Sequence, residues 1–220
     1  MQELSLTAIG GPEHFKLREA AARTPAANEV RVRNMAIGVN FIDIYQRKGL
    51  YPVSVPATLG QEGAGVVIAA GADTSLREGE RIAYLSGGGA YAEEIVIDAG
   101  RAARIPHGLS EDAAAATFLK GLTAEMLLRQ VYPLQRGQTA LVTAAAGGVG
   151  LLLCQWALHL GARVIAVVGG ADKEAAVRRL GVSDIIDRTA SPDIAAAVRR
   201  LTNGRGADVA YDSVGAATFE

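Results

Sequence analysis

The segment Thr139-Ala140-Leu141-Val142-Thr143-Ala144-Ala145-Ala146-Gly147-Gly148-Val149-Gly150-Leu151-Leu152-Leu153-Cys154 carries the pattern on which the fold turns. An apolar run with strand character ends near Ala145, a glycine cluster follows, and a second apolar run of helix-forming residues begins at Gly148. The turn matches the dinucleotide fingerprint Gly-x-Gly-x-x-Gly, with Ala145 in place of the first glycine. Gly147 and Gly148 let the backbone approach a pyrophosphate closely, and the free N–H groups opening the helix point a partial positive charge at it. Gly150 permits close packing of helix on strand. Turn sterics alone also produce glycine clusters, so the setting of this one carries the weight.

That setting is a repeat. The strand over Thr139–Ala145 and the helix over Gly148–Leu160 are followed by a strand at Arg163–Val168 and a helix at Lys173–Leu180. A short strand at Asp184–Ile186, a helix near Asp193–Leu201 and a strand at Asp208–Val214 complete the series. Such alternation predicts a parallel sheet with helices on both faces. Upstream, Ser110-Glu111-Asp112 reads as an N-cap and acidic first turn for a helix over Ala113–Leu128, and the domain junction is placed on it. Before it, strand-like runs at Glu29–Gly38, Gly63–Ala70, Arg81–Leu85, Tyr91–Ile97 and Ala102–Ile105 alternate with turns at Gly71, Gly79 and Gly87-Gly88-Gly89. This half reads as mostly β and barrel-like.

The choice of dinucleotide is legible at the end of the second parallel strand, where NAD-binding chains carry an acid for the ribose hydroxyls. Here the residues are Val167-Val168-Gly169-Gly170, which leaves room for a 2′-phosphate. Lys173 and Arg188 offer cations to pair with it, unless both are solvated surface charges. Asp172 opposes the phosphate unless it turns away.

Half of the 220 residues are apolar and a fifth are charged, enough for two domains with their own cores. The formal charge of −1 is spread without a basic patch, so neither nucleic acid nor a membrane surface is expected as a partner. The opening MQELSLTAIG shows no secretory signal, which makes the cytoplasm the default location. The uncharged stretch from Gly137 to Ala162 is broken by Gly147, Gly148 and Gly150, and carries Gln155 and His159, so it does not read as a membrane span. Cys154 is the only cysteine and sits among Leu151, Leu152, Leu153 and Trp156, as helix core does. A disulfide within the chain and a cysteine-built metal site are excluded by counting.

Five blocks together point to a family. They are Gly38-Val39-Asn40-Phe41-Ile42-Asp43-Ile44-Tyr45, Gly49-Leu50-Tyr51-Pro52, Leu119-Lys120-Gly121-Leu122-Thr123, Ala144 to Gly150, and Tyr211-Asp212-Ser213-Val214-Gly215. In this order they resemble the zinc-free quinone oxidoreductases, the zeta-crystallin-like branch of the medium-chain dehydrogenase/reductase superfamily. The resemblance implies an α/β chain with a GroES-like, mostly-β catalytic domain over residues 1–122. A Rossmann doubly wound parallel sheet would follow over residues 123–220, with NADPH in the cleft between the two. No metal is implied, since Gln61 stands where zinc-dependent relatives carry histidine, and neutral Gln61 is a poor ligand.

By matching position, Asn40, Phe41, Ile42, Asp43, Ile44 and Tyr45 would border the nicotinamide and the substrate pocket, with Tyr51 across from them. Thr123 and Met126 would approach the nicotinamide end. Gly147, Gly148, Val149 and Gly150 would hold the pyrophosphate, Gly169, Gly170, Ala171, Asp172 and Lys173 the adenosine phosphate, and Ser213 with Val214 the cofactor from the fourth strand. Arg188 departs from the tyrosine that the family often carries there. The activity implied is reduction of a quinone by hydride or electron transfer from NADPH. A hydrogen bond from Asn40, Tyr45 or Tyr51 would stabilise the developing oxyanion, although Tyr51 beside Pro52 reads equally well as a wall. Reduction of an enone or alkenal needs the same site, and a non-catalytic, NADPH-binding or crystallin-like structural role belongs to a different class. A complete sheet of this kind has six strands, so the chain is expected to be truncated after the fourth, leaving an apolar edge and weak or no turnover. A homodimer is expected of the full-length protein.

Overall fold

The strand-forming runs pair in two ways along the chain, antiparallel before Ser110 and parallel after Gln138, in a computed structural model that describes residues 1–219. Contacts divide the chain into two units, Met1–Leu119 and a second beginning at Lys120, with the division falling inside one helix.

The first unit contains β1 (Gln2–Leu6), β2 (Phe15–Glu19), β3 (Glu29–Gly38), α1 (Phe41–Arg47), β4 (Ala57–Thr58), β5 (Glu62–Ala70), β6 (Arg81–Leu85), β7 (Glu94–Asp98) and β8 (Ala102–Arg104). Five strands form an antiparallel sheet in the order β7-β3-β5-β6-β8, and three form a second in the order β2-β1-β4. The alternation read along β3 has its physical counterpart, since Val30 and Val32 are fully buried and Arg33 is exposed. With Val67, Ile82, Tyr84 and Ile97 they make a core. Each large apolar side chain so buried contributes roughly 1.5–3 kcal/mol relative to exposure. The Tyr84 hydroxyl donates to Asn34 Oδ1 at 2.7 Å, so burying that ring strands no polar group.

The smaller sheet lies outside the strands anticipated from sequence. Its strand β2 reads Phe-Lys-Leu-Arg-Glu and is mostly exposed, so little apolar signal marks it. The run Tyr91–Ile97 pairs with β3 only from Glu94 on. The Tyr91 amide donates to the Leu59 carbonyl, and Asn34 Nδ2 donates to the carbonyls of Ala90 and Ala92, which draws those residues elsewhere.

In the second part, α2 (Glu111–Glu125) begins under the Ser110 hydroxyl, which accepts from the Ala113 amide at 3.2 Å. The helix does not run on regularly to Leu128; it widens into a π-helical turn over Met126–Val131. Pro133 excludes helical backbone at Tyr132, which is extended, and the Tyr132 amide reaches back to the Leu127 carbonyl at 3.1 Å. Then follow β9 (Thr139–Val142), α3 (Gly148–His159), β10 (Arg163–Val168), α4 (Ala171–Arg178), β11 (Asp184–Asp187), α5 (Ile194–Leu201), β12 (Val209–Tyr211) and α6 (Ala216–Phe219).

The four strands are parallel and ordered β11-β10-β9-β12, that is third, second, first, fourth, as in a doubly wound dinucleotide-binding sheet. Strand β10 explains its own unbroken apolar run. Val164, Ala166 and Val168 pack in a core with Leu153, Cys154 and Ala157 of α3, while Ile165 and Val167 pack on the other face with Ala197 and Val198 of α5. Cys154 is fully buried, which pushes its thiol up to about 12 and leaves it a core residue.

Several boundaries differ from those expected. Strand β9 stops at Val142 because Ala144 takes a left-handed φ of 44° to open the turn. Helix α4 starts at Ala171 rather than Lys173, since Gly170 with φ 132° serves as its N-cap. Strand β12 is shorter than Asp208–Val214, because the Asp208 and Asp212 carboxylates accept backbone amides at either end. It is one edge of the described sheet.

A methyl group at Gly150 would lie 2.8 Å from Ala145 Cα and closer still to the Ala144 carbonyl oxygen. Replacing Gly150 with Ala is therefore expected to destabilise the second unit by roughly 1–3 kcal/mol, read as a lower midpoint in urea unfolding.

Candidate functional site

The glycine turn joins β9 to α3 in such a way that Gly147 caps a twelve-residue helix without any side chain supplying the cap. Gly147 and Gly148 are both exposed, so the first N–H groups of α3 open outward with the positive end of the helix dipole behind them. Where Gly148 would carry a Cβ, the Lys120 stem lies 2.8 Å away, so this lysine crosses the turn. The sequence reading had quoted Lys120 without giving it a place.

Beside the turn lies a cavity of about 220 Å³, lined by Ala144, Gly147, Val168, Lys173, Arg188 and Val214 among others. Its charged lining side chains are both cations. Asp172 is absent from the lining and directs Oδ1 toward Gly170. Asp187 is occupied too, with Oδ1 accepting from the Thr189 amide and hydroxyl at 2.9 and 2.8 Å. Those two bonds lead the causes that hold its carboxyl below the usual carboxylate range. The residues present thus fit a phosphate-bearing dinucleotide, offering open amides for one phosphate group and cations for another.

The loop after β12 is shaped by an acid that sequence reasoning passed over. Asp212 Oδ1 accepts from the Thr143 hydroxyl at 2.6 Å, the Thr218 hydroxyl at 2.7 Å and the Val214 amide at 3.1 Å, and Oδ2 from the Gly215 amide at 3.2 Å. Ser213 donates its amide to Thr143 Oγ1 at 3.1 Å. Burial works to raise the Asp212 carboxyl, and these hydrogen bonds outweigh it, leaving it below its ordinary value. Thr123 is half-buried on α2, and Met126 opens the widened turn with 43% of its surface exposed.

In the first unit, residues 40–51 form a second constellation. Asn40 donates its backbone amide to Asp43 Oδ2 at 2.8 Å, and the Asp43 amide returns to the Asn40 carbonyl, which starts α1. Asp43 had been expected beside a cofactor. Its carboxylate instead turns inward, only 4% exposed, and accepts the Tyr91 hydroxyl at 2.9 Å. Asn40 Nδ2 donates at 2.9 Å to Glu62, a fully buried acid whose other oxygen accepts the Leu119 amide at 2.6 Å. Glu62 was missed; a lone acid in Gly60-Gln61-Glu62-Gly63-Ala64-Gly65 was the available signal.

Ile42 and Ile44 are half-buried, whereas Phe41, Tyr45 and Tyr51 stay 71%, 37% and 50% exposed. Their rings form a series, Phe41 to Tyr45 at 5.9 Å and Tyr45 to Tyr51 at 5.5 Å, tilted by 55° and 50°. Neither the Tyr45 nor the Tyr51 hydroxyl has a hydrogen-bond partner among the described residues. Gln61 gives its amide to Gln46 Oε1 at 3.3 Å. Among the described residues no three His, Cys, Asp or Glu side chains gather as a metal site, and no helix is long and apolar enough to cross a membrane.

A barrel-like antiparallel unit followed by a 3-2-1-4 parallel sheet with an open glycine turn defines the medium-chain dehydrogenase/reductase class. Residues 26–107 match the alcohol dehydrogenase GroES-like domain, and residues 148–220 match the zinc-binding dehydrogenase family. A quinone oxidoreductase of Pseudomonas aeruginosa is 45% identical across the whole chain, which spans 68% of that relative. A 2-haloacrylate reductase from a Burkholderia species is 40% identical over 96% of the chain and 66% of its own length. The crystal structure of an Escherichia coli quinone oxidoreductase complexed with NADPH superposes with a TM-score of 0.93 at 42% identity, covering 98% of this chain and 67% of that one. The chain belongs to the quinone oxidoreductase family. It spans about two thirds of the length of these relatives.

The folded Asp212 carboxyl lies below its unfolded value, so its stabilising effect is complete above the usual carboxylate range and is lost as the pH falls through the folded value. Thermal melts of Asp212→Asn and the parent are expected to differ clearly at neutral pH and to converge in acid.

Proposed function

We propose that the protein reduces a quinone with NADPH and needs no zinc to do so. The observation that carries this reading is the cavity at the open glycine turn, whose charged lining side chains are Lys173 and Arg188. It is supported by the Escherichia coli neighbour, whose crystal structure contains NADPH, and by the quinone oxidoreductase names among relatives at 40% identity and above. Residues 1–122 would serve as the catalytic domain and residues 123–220 as the nucleotide domain. Independence from zinc draws support from the single, buried cysteine and from Gln61, a neutral amide already paired with Gln46.

NADPH, when bound, supplies the hydride. The backbone at Gly147, Gly148, Val149 and Gly150 would receive the pyrophosphate, and Gly169, Gly170, Ala171 and Lys173 would border the adenosine phosphate. Ser213 and Val214, fixed by Asp212, would bound the cofactor from β12, while Thr123 and Met126 would meet its nicotinamide end. The chain then has two tasks, to hold the acceptor near attack distance, about 3–3.5 Å, and to stabilise the charge developing on its oxygen. Tyr45 and Tyr51 carry the free hydroxyls suited to the second task. Asn40 has given an amide hydrogen to Glu62, so it acts as a positioning residue for α1. The exposed rings of Phe41, Tyr45 and Tyr51 offer a planar conjugated acceptor a surface on which to lie.

A second reading, reduction of a conjugated alkene, is favoured by the 2-haloacrylate reductase relative. NADPH oxidation by the full-length protein, followed against a panel of quinones and of enones and acrylates, separates the two. A larger kcat/KM for quinones is expected, and the reverse order would favour the alkene reading. Tight NADPH binding with no turnover in either panel would favour a structural role, and absence of any affinity for NADPH or NADP would end the assignment. In the same assay, changing Tyr45 and Tyr51 together to Phe is expected to lower kcat by about tenfold or more with KM little altered. Unchanged turnover would remove both hydroxyls from the chemistry.

A further inference from the structure

Two cations border the cavity at the end of β10, and they differ in how the fold holds them. The Arg188 amide donates to the Val168 carbonyl at 3.0 Å, which ties the Arg188 backbone to the last residue of β10. From there its side chain folds over Gly169. A Cβ built on Gly169 would lie 3.3 Å from Arg188 Nε and 3.5 Å from Nη2, tighter than side chains normally allow. Gly169 is not among the glycines with left-handed backbone, so its conformation is open to any residue. What the missing side chain provides is room for the guanidinium.

That guanidinium makes no hydrogen bond or ion pair with another described residue. Arg18, Arg81, Arg104, Arg163, Arg178 and Arg205, by contrast, each pair with a carboxylate within 3.0 Å. The acid next to it in sequence, Asp187, has Oδ1 taken by Thr189, and no carboxylate lines the cavity. A planar fork of N–H donors held in place at a cavity without acids suits the bidentate geometry of a phosphate. Lys173, in the first turn of α4, brings a point charge on a flexible stem.

We propose that Arg188, seated over Gly169, is the residue that distinguishes the phosphorylated from the unphosphorylated dinucleotide, and that Lys173 adds general attraction without the discrimination. The proposal rests on the NADPH reading above. It gives Gly169 a specific task, which is to leave the guanidinium its place.

The test is a set of dissociation constants for NADPH and NADH, measured by fluorescence titration on the full-length protein and its variants. Arg188→Gln is expected to weaken NADPH by about tenfold or more while NADH changes by less than about twofold. Arg188→Lys should recover only part of the loss, since charge without the fork is insufficient. Gly169→Ala keeps every charge and should still weaken NADPH severalfold with NADH unaffected. Lys173→Gln should cost NADPH less than Arg188→Gln does. The assignment is overturned if Arg188→Gln weakens both dinucleotides equally, leaves NADPH binding unchanged, or costs less than Lys173→Gln. A parent protein that binds neither dinucleotide overturns the nucleotide reading itself, and this one with it.

Discussion

Helix α3 can lie against β9 only because nothing projects from Gly150 into the backbone of Ala144 and Ala145. Several features follow from that close approach. Cys154 and Ala157 are brought onto the apolar face of β10, so the sheet is covered by a helix spaced tightly along its length. The first turn of α3 is left at the carboxyl ends of the strands, where its N–H groups meet solvent or a ligand and not protein. Ala144, bent into a left-handed conformation, accepts the amide of Gly147 at 2.8 Å and so closes the turn on itself. Packing and binding geometry are set by the same missing methyl group.

The first unit solves a different problem, that of presenting aromatic rings to solvent from a short helix. Seven residues are too few for α1 to be stable on its own. It is held at its entry by the Asn40 and Asp43 exchange and anchored further by two buried acids, Asp43 to Tyr91 and Glu62 to the Leu119 amide. Buried carboxylates are costly unless their oxygens are hydrogen-bonded, and here three of the four are. The outward face of α1 is thereby fixed, and Phe41 and Tyr45 stand on it beside Tyr51.

Much of the parallel unit was legible in the residues because its signals are local. An unbroken apolar run such as Arg163–Val168 is what burial on both faces demands, and the strand order agrees with the fingerprint that led the reading. The parts that escaped depend on contacts distant in sequence. Glu62 and Leu119 are 57 positions apart, and Thr143 and Asp212 are 69 apart, so no window of sequence displays either pair. Asp43 looked like a ligand-facing polar residue in a motif, and only the fold shows its carboxylate directed inward to a tyrosine. The widened turn at Met126–Val131 reflects Pro133, yet the same residues read locally as ordinary helix. Strand β2 escaped for the opposite reason, since its sequence resembles that of a surface loop.

Burial drives the Tyr91 phenol well above its normal range, and the negative charge of Asp43 drives it further. The phenolic hydrogen therefore remains in place across any condition under which the protein is folded, and the bond to Asp43 always runs in one direction. The support beneath the aromatic series is, in effect, proton-silent: it fixes shape without lending or storing hydrogen ions. Rate changes with acidity would then have to originate in the reactants or in groups that face them, and not in the timbers beneath.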